Sequence, residues 1–333
     1  MKRFKFPFAY QPKINLKETI EYSAIFKQEL FSYLQNKYKC IYIDPAFIVD
    51  NQRSPIAYLN GDRIISCDNK ANNSIFSLNA AQDNYLMLAS KMFKTENLIC
   101  FAPFIKRDAT QTNLDSVINW NINLELSRPV NLNIDYFVSL IKELFQAISN
   151  ITFVNKLKKI YKVDDKKTNL DSLAVADAQK IESSHPSLRL EEAFNHFCSE
   201  NRCVIVKHNI KKLKSGKSIA PFIPTAQDTE LSCGLYVYDE TNNQPIELIT
   251  VCKRPDVKTS RQQLNNTNPL EITNDLYDHA IFEGEHPTNI SVVINYSNLL
   301  FYFLDKIHLA EVVKSVWPKE FMDFVESEKI EIF

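Results

Sequence analysis

CGLYVYDETNNQPIELITVCKRPD, residues 233–256, sets two β-branched and aromatic runs, CGLYVYD and IELITVC, on either side of the turn DETNNQP. Asp and Asn tolerate the tight backbone of a turn, and Pro resists continuing a strand across it, so the segment reads as a β-hairpin. Its strands are antiparallel neighbours. Upstream lie a helix, RLEEAFNHFCSE, a strand, RCVIVKHNI, and a loop that holds Pro221 and Pro224; downstream come a helix over about Leu270 to Phe282, a strand, NISVVINY, a helix, SNLLFYFLDK, and a last amphipathic helix after Trp317 and Pro318.

The N-terminal half has the same mixture. Asn15, with Glu18 three residues on, caps a helix of about 20 residues whose apolar positions include Ile20, Ala24, Phe31 and Leu34. CIYIDPAFIVD (Cys40 to Asp50), DRIISC (Asp62 to Cys67) and SIFSL (Ser74 to Leu78) read as strands, followed by a helix over about Asn79 to Phe93. NLICFAPF and Ser116 to Leu126 read as further strands, and Ile134 to Ile148 keeps helical periodicity throughout. Lys156 to Ser187 is the most polar part and reads as surface loop with one helix near Leu173 to Ile181. Strict β-α-β alternation is missing and no 20–50-residue repeat occurs. The expected fold is α+β, a largely antiparallel sheet flanked by helices in a single domain, 1–333.

Glycine is scarce: Gly61, Gly216, Gly234 and Gly284 in 333 residues, where average usage gives roughly 23. Phosphate-cradling loops need glycines close together, because the backbone must take positive φ and approach the phosphate with no Cβ in the way. A Rossmann fingerprint, a Walker A loop and a kinase-type loop are therefore excluded. Lys+Arg 39 against Asp+Glu 40 supplies no global field for a polyanion, so no nucleic-acid partner is expected; the basic run Lys207 to Lys217 reads as a solvated loop. No window suits a membrane span or a secretory signal. The seven cysteines are odd in number, scattered and mostly within apolar runs, as reduced buried thiols of a cytoplasmic protein would be. The six histidines are dispersed, with no C-x-x-C or H-E-x-x-H, so no zinc site is visible.

Several strings, in order, resemble the ammonia-dependent asparagine synthetase A family, the aspartate–ammonia ligases, whose fold is related to the catalytic domain of class II aminoacyl-tRNA synthetases. INLKETIEYSAIFKQEL resembles the family's first helix, and DPAFIVD with YLNG the strand and loop after it. FSLNAAQ stands where the family has Ser-Leu-Ala-Lys-Trp-Lys, and LDSVINWNINLE where it has Val-Asp-Gln-Trp-Asp-Trp-Glu. PIELITVCKRPD resembles Ile-Glu-Leu-Ser-Ser-Met-Gly-Ile-Arg-Val-Asp, and HPTNISVVINYSNLLFYFLDKIHLAEVVKSVWP follows the last strand and helix, with His308, Trp317 and Pro318 as scaffold matches. The resemblance implies a class II synthetase-like fold and a cleft in which ATP activates the β-carboxylate of aspartate before ammonia displaces AMP.

It also implies which positions hold the substrates. Arg107 matches a phosphate-contacting arginine, Glu247 a glutamate on the magnesium side, and Arg254 a nearby nucleotide-contacting arginine; Glu125 closes the Trp-Asp-Trp-Glu strand. Glu247 and Arg254 read as a pair, either on the nucleotide or as an ion pair at the end of a sheet. Elsewhere the family's groups are replaced. An aspartate becomes Ala57, a lysine Ala80, and Asp-Gln-Trp-Asp becomes Trp120, Asn121, Ile122 and Asn123. Leu-Asn-Gly-Asp becomes Leu231, Ser232, Cys233 and Gly234, and Ala-Pro-Asp becomes Ala220, Pro221 and Phe222. Gly-Gly-Gly-Ile-Gly-Gln-Ser-Arg becomes Ser291 through Asn298, with Val292 and Val293 expected to fill the space of adenine. Charge-dependent chemistry does not survive such exchanges without cost. The leading expectation is a family member without ligase activity that serves as a binding, regulatory or scaffold subunit, as a homodimer or in a heterodimer with a related synthetase. The alternative is a divergent adenylate-forming ligase that uses ATP and Mg, with Arg107, Glu247 and Arg254 as its triphosphate clamp and Asn121, Asn123 and Asn298 facing a less charged substrate. A third reading, a structural protein, expects an exposed aromatic patch around Trp120.

Overall fold

The computed structural model describes residues 4, 6–7, 10–50, 65–69, 74–78, 82–127, 132–161, 173–208, 226–264, 283–284 and 287–333. Helix α1 (Leu16–Tyr38) opens with the capping box its sequence announces: the Asn15 side chain accepts from the Glu18 N–H and the Glu18 carboxylate accepts from the Asn15 N–H. Lys39, at φ 53°, ends it in the left-handed region, and strand β1 (Cys40–Tyr42) follows.

β1 is the edge of an eight-stranded sheet of order β1-β5-β6-β11-β10-β9-β8-β7, formed with β5 (Asn97–Ile105), β6 (Ile118–Leu126), β7 (Ala174–Asp177), β8 (Cys203–Lys207), β9 (Ser232–Asp239), β10 (Gln244–Lys253) and β11 (Ile290–Asn295). Only the two edge pairs, β1 with β5 and β7 with β8, are parallel; the five inner pairings are antiparallel. The β9–β10 hairpin turns at Asn243, at φ 54°, and carries a bulge between Glu247 and Ile249. A second, antiparallel sheet has the order β2-β4-β3, from β2 (Ile48–Asp50), β3 (Ser66–Asn69) and β4 (Ser74–Leu78). Cys40 to Asp50 is thus two strands in two sheets, interrupted at Pro45.

Successive residues of a strand face opposite sides, and here that alternation separates two environments. Ile122, Leu124, Val292, Ile294, Ile249, Val251, Leu235 and Ile205 join one core with α3 (Ile134–Ser149), through Phe137, Ile141, Leu144 and Phe145, and with Phe26, Leu30 and Leu34 of α1. On the other face, among the described residues, helices pack at both ends of the sheet. At one, α2 (Gln82–Met92) lays Leu86 over Leu98, Cys100 and Ala102. At the other, α5 (Ala178–Ser184) and α6 (Leu190–Asn201) lay Ile181, Ala193, Phe197 and Cys198 over Val204, Val206 and Tyr236. Between these helices the middle strands carry polar side chains on the same face, most of them buried.

Two elements differ from the sequence reading. Thr152–Tyr161 is a helix, α4, whose Phe153, Val154 and Leu157 join the main core, although its lysines make it read as loop. Residues 174–177 form β7 instead of a helix; the short AVAD run pairs with β8, and α5 begins only at Ala178 under the Asp177 cap. Helix α7 (Val257–Leu264) follows the hairpin. The helix expected near 270–282 lies outside the described residues. Helix α8 (Tyr296–Phe303) follows β11 directly, and α9 (Lys319–Ser327) starts after Pro318. His308 is fully buried among Phe4, Phe6, Trp317 and Phe321, so the C-terminal matches to the family are packing residues. Cys40, Cys100, Cys198, Cys203, Cys233 and Cys252 are all buried and none is in a disulfide. No helix among the described residues is long and apolar enough to cross a membrane.

Candidate functional site

The face of the middle strands opposite the main core takes Asn121, Asn123 and Glu125 from β6, Ser291, Val293 and Asn295 from β11, and Thr250 and Cys252 from β10, as the registers Asn123↔Val293 and Val293↔Thr250 require. It is the polar side of an otherwise apolar sheet. Asn121 and Asn123 are buried, yet the Oδ1 atom of each has no hydrogen-bond partner; the Asn123 amide N–H reaches only the Cys100 sulfur, at 3.7 Å. Unmatched buried acceptors cost roughly 1–3 kcal/mol each. They mark this face as a place that a donor-bearing ligand would improve.

Arg254, one residue beyond β10, is the largest side chain with no exposure at all. Its Nε donates to both carboxylate oxygens of Glu125, at 3.3 and 3.2 Å, and its Nη2 donates to Oε2 at 3.2 Å. Its Nη1 donates to the Ala226 carbonyl at 3.0 Å, and its backbone N–H to Asn289 at 2.8 Å. Glu125 is equally buried. The guanidinium joins β6 to the segment after β10 and is neutralised there.

Glu247 is not its partner. The bulge turns Glu247 onto the face of Tyr236, whose hydroxyl donates to Oε1 at 2.7 Å; Tyr236 also meets His208 Nε2 at 3.4 Å, and His208 Nδ1 lies 2.9 Å from the Ser232 hydroxyl. Burial raises the Glu247 pKa above the usual carboxylate range, against the Tyr236 and Thr250 hydrogen bonds and the charge of Lys106, which oppose it. Burial also lowers His208 to about 4. Gly234 makes room for this row: a Cβ there would stand 2.8 Å from Tyr236 Cε2 and 2.9 Å from Glu247 Oε1.

Asn298 on α8, where the resemblance has an arginine, donates to the Glu247 carbonyl at 2.8 Å and so holds the bulge. Val292 and Val293 part company. Val292 is fully buried in the opposite core and cannot enter a nucleotide slot; Val293 alone lies on the polar face. The expectation that both fill that slot fails on the two-residue period of the strand. Arg107 is exposed in the turn after β5, next to Lys106, which pairs with Asp115 at 3.0 Å. Trp120 belongs to the other side of the sheet, half-buried and stacked on Phe101 at 4.9 Å, with Lys27 over the Phe101 ring. Ala57, Ala80 and 220–222 lie outside the described residues.

Sequence reasoning singles out Arg107, Glu125, Glu247 and Arg254, names Ser232 only as a replaced position, and does not name Tyr236, His208 or Lys106. Strand alternation carries a signal for Tyr236 and His208: His208 continues the face of Val204 and Val206, and Tyr236 that of Gly234. Two of the described positions are not open to a triphosphate as they stand. Arg254 is enclosed and paired with Glu125, and Val293 lies on the face opposite the main core.

A family model described as Aspartate-ammonia ligase matches residues 23–329. An aspartate–ammonia ligase of Lactobacillus johnsonii is 24% identical over 335 residues, 98% of either chain, and one of Ureaplasma parvum is 26% identical over 197 residues, 57% of either chain. In the latter, the match spans little more than half the relative's length. Among solved structures, asparaginyl-tRNA synthetase of Entamoeba histolytica superposes with a TM-score of 0.65 at 12% identity, over 90% of this chain and 67% of that one. The Pyrococcus horikoshii enzyme, complexed with asparaginyl-adenylate, gives 0.62 at 12% identity, over 91% and 70%. At that identity the likeness is one of fold, and it is the class II synthetase fold.

Proposed function

The chain belongs to the aspartate-ammonia ligase family, and from that premise we propose that it is a member without aspartate–ammonia ligase activity, whose cleft serves binding or regulation, as a homodimer or beside a related synthetase. One observation carries this reading: Arg254, the position on which a nucleotide contact would fall, is completely enclosed and spends its guanidinium on Glu125 and the Ala226 carbonyl. Asn298 and Glu247 support it, each engaged within the protein. A triphosphate would have to dismantle a buried ion pair to gain that arginine, at a cost of about 3–5 kcal/mol before any contact formed.

The unmatched Oδ1 atoms of Asn121 and Asn123 favour one further feature, a ligand that brings N–H or O–H donors and little charge. Isothermal titration with ATP in excess magnesium, with and without aspartate and ammonia, tests the whole. Silence beside an active family member as control, with no AMP released, is the expected result. Micromolar ATP binding, or asparagine among the products, would reject the reading in favour of the divergent ligase.

A further inference from the structure

His185, His196 and Glu200 meet where α5 ends against α6. His185 caps the C-terminus of α5, and His196 and Glu200 stand one turn apart on α6. His185 Nε2 lies 3.9 Å from one Glu200 oxygen and His196 Nδ1 lies 3.5 Å from the other, with the two imidazole centroids 4.9 Å apart. One ligand atom from each residue falls within 4.8 Å of the other two. None of these contacts is a hydrogen bond. His185 Nε2 is nevertheless buried and has no hydrogen-bond partner, an exception among buried polar atoms that asks for an explanation.

The two histidine-to-carboxylate separations, 3.9 and 3.5 Å, suit a shared ion. Two donors on one zinc, each at 2.0–2.2 Å, lie roughly 3.3–4.2 Å apart as their angle opens from tetrahedral. Two imidazoles and a carboxylate are also a donor set that zinc accepts with a fourth position left to water. Both remaining ligands can adjust, since the His196 and Glu200 side chains are 58% and 54% exposed while His185 is only 20% exposed. Among the described residues the ionic partners of Glu200 are these two histidines.

We propose that His185, His196 and Glu200 form a binding site for a divalent transition-metal ion of the zinc class. The ion fastens α5 to α6 over Ile181, Ala193 and Phe197 and so braces the helical cover of β7–β9. The site is independent of what the cleft binds.

Full-length protein, stripped with chelator, is titrated with Co(II) by visible absorption and then with Zn(II) in competition. The wild type is expected to take up one equivalent. His196→Ala and Glu200→Gln, both at exposed positions that leave the core intact, are each expected to weaken binding by about 10-fold or more, at least the effect of losing an outer-shell partner. Zinc should raise the unfolding temperature of the wild type and leave that of His196→Ala unchanged. Absence of the cobalt band in the wild type, or equal affinity in the wild type and either variant, overturns the three-ligand site.

Discussion

Glu125→Gln should unfold this protein far more readily than an exchange of one oxygen for nitrogen suggests. The substitution removes the negative charge that pairs with a guanidinium of no exposure, and leaves three N–H···O contacts of 3.2–3.3 Å with at most one good acceptor between them. Breaking a buried pair from one side costs about 3–5 kcal/mol, because the remaining charge keeps its desolvation penalty and loses its compensation. Domains of 150–250 residues shift by about 2–4 °C per kcal/mol, and this larger chain belongs at or below the low end, so the expected fall in Tm is roughly 5–10 °C. Replacing both partners, Glu125→Leu with Arg254→Met, removes both charges and should recover most of that loss. Urea denaturation of the wild type, the single variant and the double variant measures all three. If Glu125→Gln stays within 1 kcal/mol of the wild type, Arg254 is not committed to Glu125 in solution, and the reading of the cleft loses its main support.

Gly234→Ala places a methyl group 2.8–3.0 Å from Tyr236 and Glu247, and should cost about 1–3 kcal/mol as an overpacked site does; pairing it with Tyr236→Leu should recover part of the loss, and thermal unfolding of both variants measures it. His208 stays neutral in the folded chain down to about pH 4, whereas in the unfolded chain an imidazole takes its proton below about 6.5. Acid through that window therefore favours unfolding, by about 1.4 kcal/mol per pH unit for this residue. His208→Gln should lose roughly 2 kcal/mol less than the wild type between pH 7 and pH 5, and urea midpoints at the two pH values would show an unchanged difference if the imidazole is already charged when folded.

The sheet was legible because its strands carry two signals at once. The β9–β10 hairpin has turn chemistry between β-branched runs, and β6 alternates polar and apolar residues, INWNINLEL, which assigns Asn121, Asn123 and Glu125 to one face before any coordinates exist. Helix α3 was legible from an apolar stripe without interruption. Helix α4 was not, since its four-residue apolar share sits among lysines and only packing on α1 and α3 reveals which side is buried. Residues 174–177 read as helix because alanine favours one, and the edge of β8 overrides that preference. The site was half legible. The sequence reading names Glu125, Glu247 and Arg254 but pairs Arg254 with Glu247, because Glu125 and Arg254 are 129 positions apart and meet only through the β6–β11–β10 order. The bulge after Glu247 shifts its face by one residue, which no spacing discloses. The His185, His196 and Glu200 cluster was invisible for a related reason: a helix end and a helix face supply its members, at 11 and 4 residues' separation, and neither interval is a metal motif by itself.

Val293→Gly separates the shape of the cleft from its charge. If the valine side chain were all that kept adenine from the floor of β11, removing it would admit ATP. The electrostatic groups do not follow from that change: Arg254 stays enclosed with Glu125, Asn298 stays on the Glu247 carbonyl, and the Glu247 carboxyl keeps its hydrogen bond from Tyr236. The glycine also costs about 0.5–1 kcal/mol of strand stability, which a neutral slot does not return. Titration of Val293→Gly with ATP and magnesium should therefore remain as silent as the wild type. Micromolar binding gained by this one substitution would mean that the charged groups are still available to phosphate, and that a single side chain stands between this chain and a nucleotide site.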